Sequence, residues 1–262
     1  MDKFAFWVAT HRNLCKTITW IFWISMMALY ILIDVSIWIV VPVAFIGIFW
    51  FVLIIESAPA AATKKEIEIM YDQCDSYPLL NKTAALLQHK HSNSTQIMLN
   101  INYCIALEDI GRSQEAFDRL NQINIDTPEA AYIPWKVAYY SALFDACNNM
   151  CNMDAAVIWF NKTVQNYNTL KDGKDKNRLT ESIKLMHAEM ELFNDNIPQV
   201  LALLRSVQPS CLRQQVCHSM IYAKIMLKTG QTDEARQALE FVVQNGNTLY
   251  YVATAKQMLE TL

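Results

Sequence analysis

Residues 104–128 read CIALEDIGRSQEAFDRLNQINIDTP, and the spacing of their small residues decides the fold of this chain. Gly111 is followed by Ala116 five residues later and by Leu120 four residues after that. The same spacing returns in residues 223–247, AKIMLKTGQTDEARQALEFVVQNGN, at Gly230, Ala235 and Leu239. A glycine just past a helix end closes that helix, and a small alanine lets the next helix pack closely against it. Because the chain has only five glycines, this repetition indicates helix–turn–helix units.

Apolar residues recur at three- and four-residue spacing after residue 64, which is typical of helices. We predict helices near 65–75, 78–90, 95–109, 113–124, 129–149, 153–170, 177–193, 196–206, 210–229, 232–245 and 248–261. Thr127 followed by Pro128 offers a helix start, and Gly246 offers a helix end. No stretch shows the sustained alternation of a strand, so the predicted fold class is all-α.

These units resemble the tetratricopeptide repeat (TPR), a helix–turn–helix of about 34 residues. In that register the turn glycines are Gly111 and Gly230, and Pro128 is the closing proline. Small residues fall where the two helices of a unit pack together, at Cys104, Ala116, Ala156, Ala188, Val200, Ala223 and Ala235. The second-helix positions are unequally spaced and the first-helix tryptophan of the family is absent. The resemblance covers residues 95–247 and implies a TPR-like α-solenoid, whose concave face typically binds peptides, helices or proteins.

A long apolar run precedes this region. It extends from Thr17 to Ile55, 39 residues in which Asp34 is the only charged residue. As one straight helix it would be about 58 Å long, whereas the hydrocarbon core of a membrane is about 30 Å thick. Two spans, 17–33 and 35–55, fit this length. We therefore predict a transmembrane helical hairpin that turns at Asp34.

The flanking charges predict the orientation of this hairpin. Basic residues precede the first span and follow the second, at Lys3, Arg12, Lys16, Lys64 and Lys65. Positive flanks favour the cytoplasm, so both ends of the hairpin are expected inside and Asp34 outside. The seven cysteines are an odd number and lie mostly in apolar helical patterns, which agrees with reduced thiols in a cytosolic domain. The predicted location is an integral protein of the plasma membrane with its N-terminus and repeat domain in the cytoplasm.

The resulting organisation has four parts: a cytoplasmic tail at 1–16, the two spans, a linker at 56–64 and a TPR-like helical repeat domain at 65–262. Residues 64–262 hold 19 basic and 22 acidic residues, because the first 63 hold three of the 22 basic and three of the 25 acidic residues of the whole chain. No Lys/Arg run occurs, so nucleic acid is not an expected partner.

No sequence motif indicates an enzyme. The chain has no HExxH, GxSxG, P-loop or GxGxxG pattern. Cys147 and Cys151 lie one helical turn apart, but no second pair with metal-ligand spacing follows. We therefore predict no catalytic residue, no metal and no cofactor.

The TPR register suggests a binding surface instead. The resemblance implies that polar residues of the first helices face the groove, at Asp145, Asn148, Asn149, Glu189, Lys224 and Lys228. Asparagine side chains there could hold a peptide backbone through paired hydrogen bonds. The expected function is a membrane-anchored adaptor that binds a protein or peptide. The alternatives are a transport or sensing subunit that uses Asp34 within the membrane, and an enzyme on a helical scaffold.

Overall fold

The structure is a computed structural model that describes residues 2–33, 37–128 and 132–262. These residues form thirteen α-helices and no strand, so the prediction of an all-α fold is confirmed. The N-terminal third contains α1 (Asp2–Thr10), α2 (Arg12–Leu32), α3 (Ile37–Gln73), α4 (Tyr77–Leu87) and α5 (Asn93–Asp109). The middle contains α6 (Ser113–Leu120), α7 (Ile133–Asn149), α8 (Met153–Asn168) and α9 (Lys174–Phe193). The chain ends with α10 (Ile197–Ser206), α11 (Leu212–Lys228), α12 (Thr232–Asn245) and α13 (Tyr251–Glu260).

Helix α1, within the predicted N-terminal tail, packs against the long helix α3. Val8 and Ala9 of α1 are buried in one apolar cluster with Ile55 and Ala58 of α3. The same cluster includes Leu86 of α4, so α1 joins the long helix α3 to the helices that follow. Burial of these apolar side chains is what holds residues 2–10 against α3.

The predicted linker at 56–64 is also helical, since α3 runs without interruption from Ile37 to Gln73. The helix tolerates Pro59 in its interior, where a proline removes one backbone hydrogen bond. Two contacts stabilise this stretch: the packing of α1 against it, and hydrogen bonds from Lys16 and Ser92 to Glu56. A continuous helix therefore connects the apolar run to the rest of the chain.

Helices α2 and α3 lie side by side and antiparallel. Arg12 forms an ion pair with Glu56 near one end of the pair, and Trp23 packs directly on Gly47, where a Cβ atom would collide with the indole ring. Helix α2 ends at Leu32 and α3 begins at Ile37. Asp34 itself lies outside the described residues.

One helix among the described residues is long and apolar enough to cross a membrane, the part of α3 from Val41 to Gln73. The large apolar side chains that remain exposed lie mainly between residues 4 and 54. Trp20, Phe45 and Trp50, for example, are each more than half exposed. A surface of this kind is unfavourable in water.

The two best-matched helix pairs, α5–α6 and α11–α12, pack as the spacing required. Gly111 and Gly230 have φ angles of +80° and +76°, a left-handed backbone that glycine adopts without steric cost. The seven small residues named above are all fully buried: Cys104, Ala116, Ala156, Ala188, Val200, Ala223 and Ala235. That these pairs belong to the TPR family remains a prediction.

One helix start was wrong. The pair Thr127–Pro128 predicted a helix from residue 129, but residue 132 is not helical and α7 begins at Ile133. Pro134 explains the difference, because it lies in the first turn of α7. A proline deeper inside a helix would clash with the carbonyl four residues earlier, so a helix from 129 to 149 is disfavoured.

The end of the chain returns to its beginning, which the repeat pattern did not predict. Helix α11 contacts α3, and the turn before α13 contacts the turn before α4. Thr248 N–H and Oγ1 both donate to the carbonyl of Cys74, at 3.1 and 2.9 Å, and Ser76 N–H donates to Thr248 Oγ1 at 3.0 Å. These hydrogen bonds bring two distant parts of the chain together, and we call the contact between residues 73–76 and 246–251 the closure.

Candidate functional site

A group of charged side chains lies where α5, α7, α9 and α11 meet inside the closure. Asp109 at the end of α5 is 3% exposed, and its Oδ1 accepts from two nitrogens of Arg213 of α11, from Nε at 3.0 Å and from Nη2 at 2.7 Å. The other carboxylate oxygen accepts from Ser76 Oγ at 2.7 Å. Tyr250 N–H donates to the backbone carbonyl of Asp109 at 2.7 Å. Asp109 thus connects α5 and α11 to both sides of the closure.

Two further carboxylates are held by asparagines of α7. Glu189 of α9 accepts from Asn148 Nδ2 at 3.3 Å and from the Tyr251 hydroxyl at 3.2 Å. Glu108 of α5 accepts from Asn149 Nδ2 at 3.0 Å and from Ser113 Oγ at 2.9 Å, both through the same oxygen. Successive residues of one helix end therefore fix α7 to α5 on one side and to α9 on the other.

Burial changes the protonation of these groups. It raises the pKa of Glu108 to about 7, although the hydrogen bonds from Ser113 and Asn149 act in the opposite direction. Burial also raises the pKa of Glu189, against the opposing effect of Lys224. The pKa of Asp145 is raised well above its ordinary value, because burial outweighs the nearby Arg213 guanidinium. An acidic interior of this kind binds protons more readily than surface carboxylates do.

A cleft opens beside Glu189. Its volume is about 360 Å³, and residues of α7, α9, α11 and α13 line it: Asn148, Glu189, Leu192, Phe193, Lys224, Leu227, Lys228 and Met258. One wall is apolar, and Phe193 is 55% exposed there. Lys228 forms an ion pair with Asp195, whereas Lys224 has no ion pair among the described residues. The cleft therefore offers apolar surface next to an available ammonium group.

The structure brings four of the six predicted site residues together in this cleft, namely Asn148, Glu189, Lys224 and Lys228. It places Asn149 one residue further along α7, against Glu108. Asp145 lies deeper, half-buried in the charged interior, and accepts no hydrogen bond from the rest of the described chain.

Sequence reasoning missed Glu108, which Ser113 and Asn149 hold. It also missed the residues that the closure brings into place, which are Asp109, Arg213 and Tyr251. One signal was available, because Glu108 and Asp109 interrupt the apolar face at the end of the best-matched first helix.

A larger surface depression, about 480 Å³, lies along α6 and the turn that follows it. Its lining is entirely polar and comes from this one segment: Gln114, Glu115, Asp118, Arg119 and Gln122. Binding sites usually combine apolar walls with a few polar groups, so the smaller cleft between four helices is the better candidate. In the part of the chain that the structure describes, no group of three His, Cys, Asp or Glu side chains is arranged to hold a metal ion.

Comparison with known proteins returns no relative: no protein-family model, curated protein or solved structure matches this chain.

Proposed function

We propose that this protein is a non-enzymatic adaptor of the plasma membrane, in which a TPR-like helical domain binds a segment of a partner protein in the cleft beside Glu189. The observation that carries the proposal is the composition of this cleft. Four helices contribute to it, Phe193 stands exposed on its apolar wall, and Lys224 is free of ion pairs among the described residues. Exposed aromatic residues beside a charged group are typical of recognition surfaces.

The cleft suits a peptide segment better than a small metabolite. The Asn148 side chain donates one long hydrogen bond of 3.3 Å to Glu189. Its amide can therefore rearrange to pair with the backbone of a bound peptide. The Lys224 ammonium is available to a carboxylate or carbonyl of the partner. Leu192, Leu227 and Met258 provide an apolar floor for one large side chain.

The membrane anchor rests on the exposed apolar surface of residues 4–54. The antiparallel pairing of α2 with α3 supports two spans joined near Asp34, because Arg12 meets Glu56 and Trp23 meets Gly47. Residues 37–55 of α3 rise about 28 Å, which is close to the hydrocarbon thickness of about 30 Å. Both ends of the pair then lie on the cytoplasmic side, with the helical domain directly beyond Glu56.

Comparative cross-linking in native membranes tests this proposal. Cells expressing the full chain are treated with a cross-linker, and captured proteins are quantified for the wild type, for Lys224→Glu and for Lys171→Glu. Lys171 is exposed and precedes the start of α9, whereas the cleft residues of α9 lie at the other end of that helix, so it is the matched control for charge reversal. We expect one protein to be enriched with the wild type and with Lys171→Glu, and lost with Lys224→Glu. Equal capture by all three would refute a binding role for the cleft.

A further inference from the structure

The turn between α4 and α5 lies at the level where α3 leaves its apolar run. Ser92 Oγ donates to Glu56 Oε2 at 3.1 Å. The other carboxylate oxygen of Glu56 pairs with Arg12 and with Lys16, whose Nζ is 3.3 Å away. Ile55, immediately before Glu56, is the last residue of the apolar run. The turn at residues 88–92 is therefore held beside the end of the proposed spans.

Apolar packing fixes this position independently of the hydrogen bond. Leu86, near the end of α4, is fully buried in the cluster that contains Val8 and Ile55. Leu99 of α5 is buried in the same cluster. Both helices that flank the turn are thus packed against the end of the anchor, and the turn cannot move away from it without opening this core.

The side chains at this level are mostly cationic. His89 and Lys90 are exposed at the tip of the turn, and Lys90 has no ion pair among the described residues. Arg12 and Lys16 lie at the same level, around Glu56, which Ser92 of this turn contacts. With the histidine neutral, three cations and one carboxylate leave a net charge of about +2, so this surface attracts anions. We call Arg12, Lys16, His89 and Lys90 the basic collar.

We infer that the basic collar is a second membrane contact, which binds the headgroups of anionic lipids in the leaflet where the anchor enters. This inference rests on the proposed anchor, because only insertion of α2 and α3 brings residues 88–92 to the headgroup layer. Basic residues beside a membrane span attract anionic lipid. The collar would hold the α4–α5 edge of the helical domain against the bilayer and thereby limit the directions in which the cleft can face.

Lysine labelling in nanodiscs tests the inference. The full chain is placed in nanodiscs of phosphatidylcholine alone or of phosphatidylcholine mixed with phosphatidylserine, and the rate at which an amine-reactive reagent modifies Lys90 is compared with that of Lys171. We expect phosphatidylserine to slow the modification of Lys90 severalfold and to leave Lys171 unchanged. Inorganic phosphate added to phosphatidylcholine nanodiscs should not protect Lys90, which separates lipid binding from binding of free phosphate. Equal Lys90 rates in the two nanodiscs, or protection by inorganic phosphate, would overturn the inference.

A variant gives a second measurement. The amount of phosphatidylserine that remains bound to the purified protein should fall about fivefold with Lys90→Gln, at the usual contribution of one basic residue near an anionic surface. It should be unchanged with Lys171→Gln, and an equal amount with both variants counts against the collar. Backbone amide exchange of residues 41–55 in the same nanodiscs keeps the two proposals apart. Rapid exchange there would contradict the anchor itself, whereas slow exchange with equal Lys90 labelling would contradict only the collar.

Discussion

Substitution of Asp109 by asparagine should loosen the closure. The carboxylate is 3% exposed and accepts from Arg213 and from Ser76. Asparagine keeps the shape of the side chain but removes its charge, which leaves the partly buried Arg213 guanidinium without its hydrogen-bonded counter-ion. A guanidinium keeps its proton at any ordinary pH, so Arg213 cannot escape the cost by becoming neutral. Removal of one partner of a buried pair costs about 3–5 kcal/mol.

We expect Asp109→Asn to lower the free energy of unfolding by about 3 kcal/mol, the lower end of this range, because the asparagine oxygen still accepts a hydrogen bond from Arg213. For a domain of this size that loss lowers the midpoint of thermal unfolding by about 6–12 °C, measured by circular dichroism on the full chain in detergent. Amide exchange reports the location of the change: the N–H groups of Thr248 and Tyr250, which donate to Cys74 and Asp109, should exchange faster.

The matched control is Asp118→Asn, since Asp118 is exposed on α6 and bonds only to Gln114. It should change the free energy of unfolding by less than about 0.5 kcal/mol. The reasoning is refuted if Asp109→Asn costs less than about 1 kcal/mol, or if exchange at Thr248 and Tyr250 is unaltered. Replacement of both partners, as in Asp109→Leu with Arg213→Met, should cost less than the sum of the two single changes.

Three more predictions follow from other parts of the molecule. The raised pKa of Glu108, about 7 against an ordinary 4.5, means that its contribution to stability is complete below pH 4.5 and is lost as the pH rises through 7. The free energy of unfolding of Glu108→Gln should therefore equal that of the wild type below pH 4.5 and exceed it by about 3 kcal/mol at pH 8, as measured by denaturant titration. A difference that is independent of pH would contradict this. Gly111→Ala should be more destabilising than Gly230→Ala in the same titrations, because both have a left-handed backbone but only the first would press a Cβ atom on Tyr250, at 3.2 Å; equal losses would show that this contact is unimportant. A membrane-impermeant maleimide should label the exposed Cys151 only in permeabilised cells, with Cys151→Ser as control, whereas labelling of intact cells would place the helical domain outside.

Local features of the fold could be predicted from the sequence. The spacing of glycine and alanine located α5–α6 and α11–α12, and their turns have the left-handed glycines that this spacing requires. Periodicity located the helices from residue 65 onward, usually within a few residues, because the apolar face of each helix is a local pattern. The error at α7 was also local, since Pro134 sets its start.

The closure could not be predicted in this way. It joins Cys74 to Thr248, 174 residues apart, through backbone and hydroxyl groups that leave no side-chain pattern in the sequence. The continuity of α3 through residues 56–64 depends likewise on packing by α1, which comes from another part of the chain.

The residues of the candidate site likewise fall into those that a local sequence pattern predicted and those that depend on the closure. Asn148, Glu189, Lys224 and Lys228 share the cleft, and they lie near the C-terminal ends of α7, α9 and α11, where the resemblance to the repeat family predicted a common surface. Asp109, Arg213 and Tyr251 reach the site only when the two ends of the chain meet. Their role follows from a long-range contact, and no register of a single helix pair indicates it.

The central claim is that the cleft beside Glu189 binds a partner at the membrane, and site-specific photo-cross-linking tests it most directly. A photoreactive amino acid replaces Phe193, which is 55% exposed in the cleft, or Ile158, which is 55% exposed on α8 away from it. After irradiation of native membranes, the account predicts one protein adduct of defined mass with the residue at position 193 and none with the residue at position 158. The same adducts from both positions, or no protein adduct from position 193, would contradict the account.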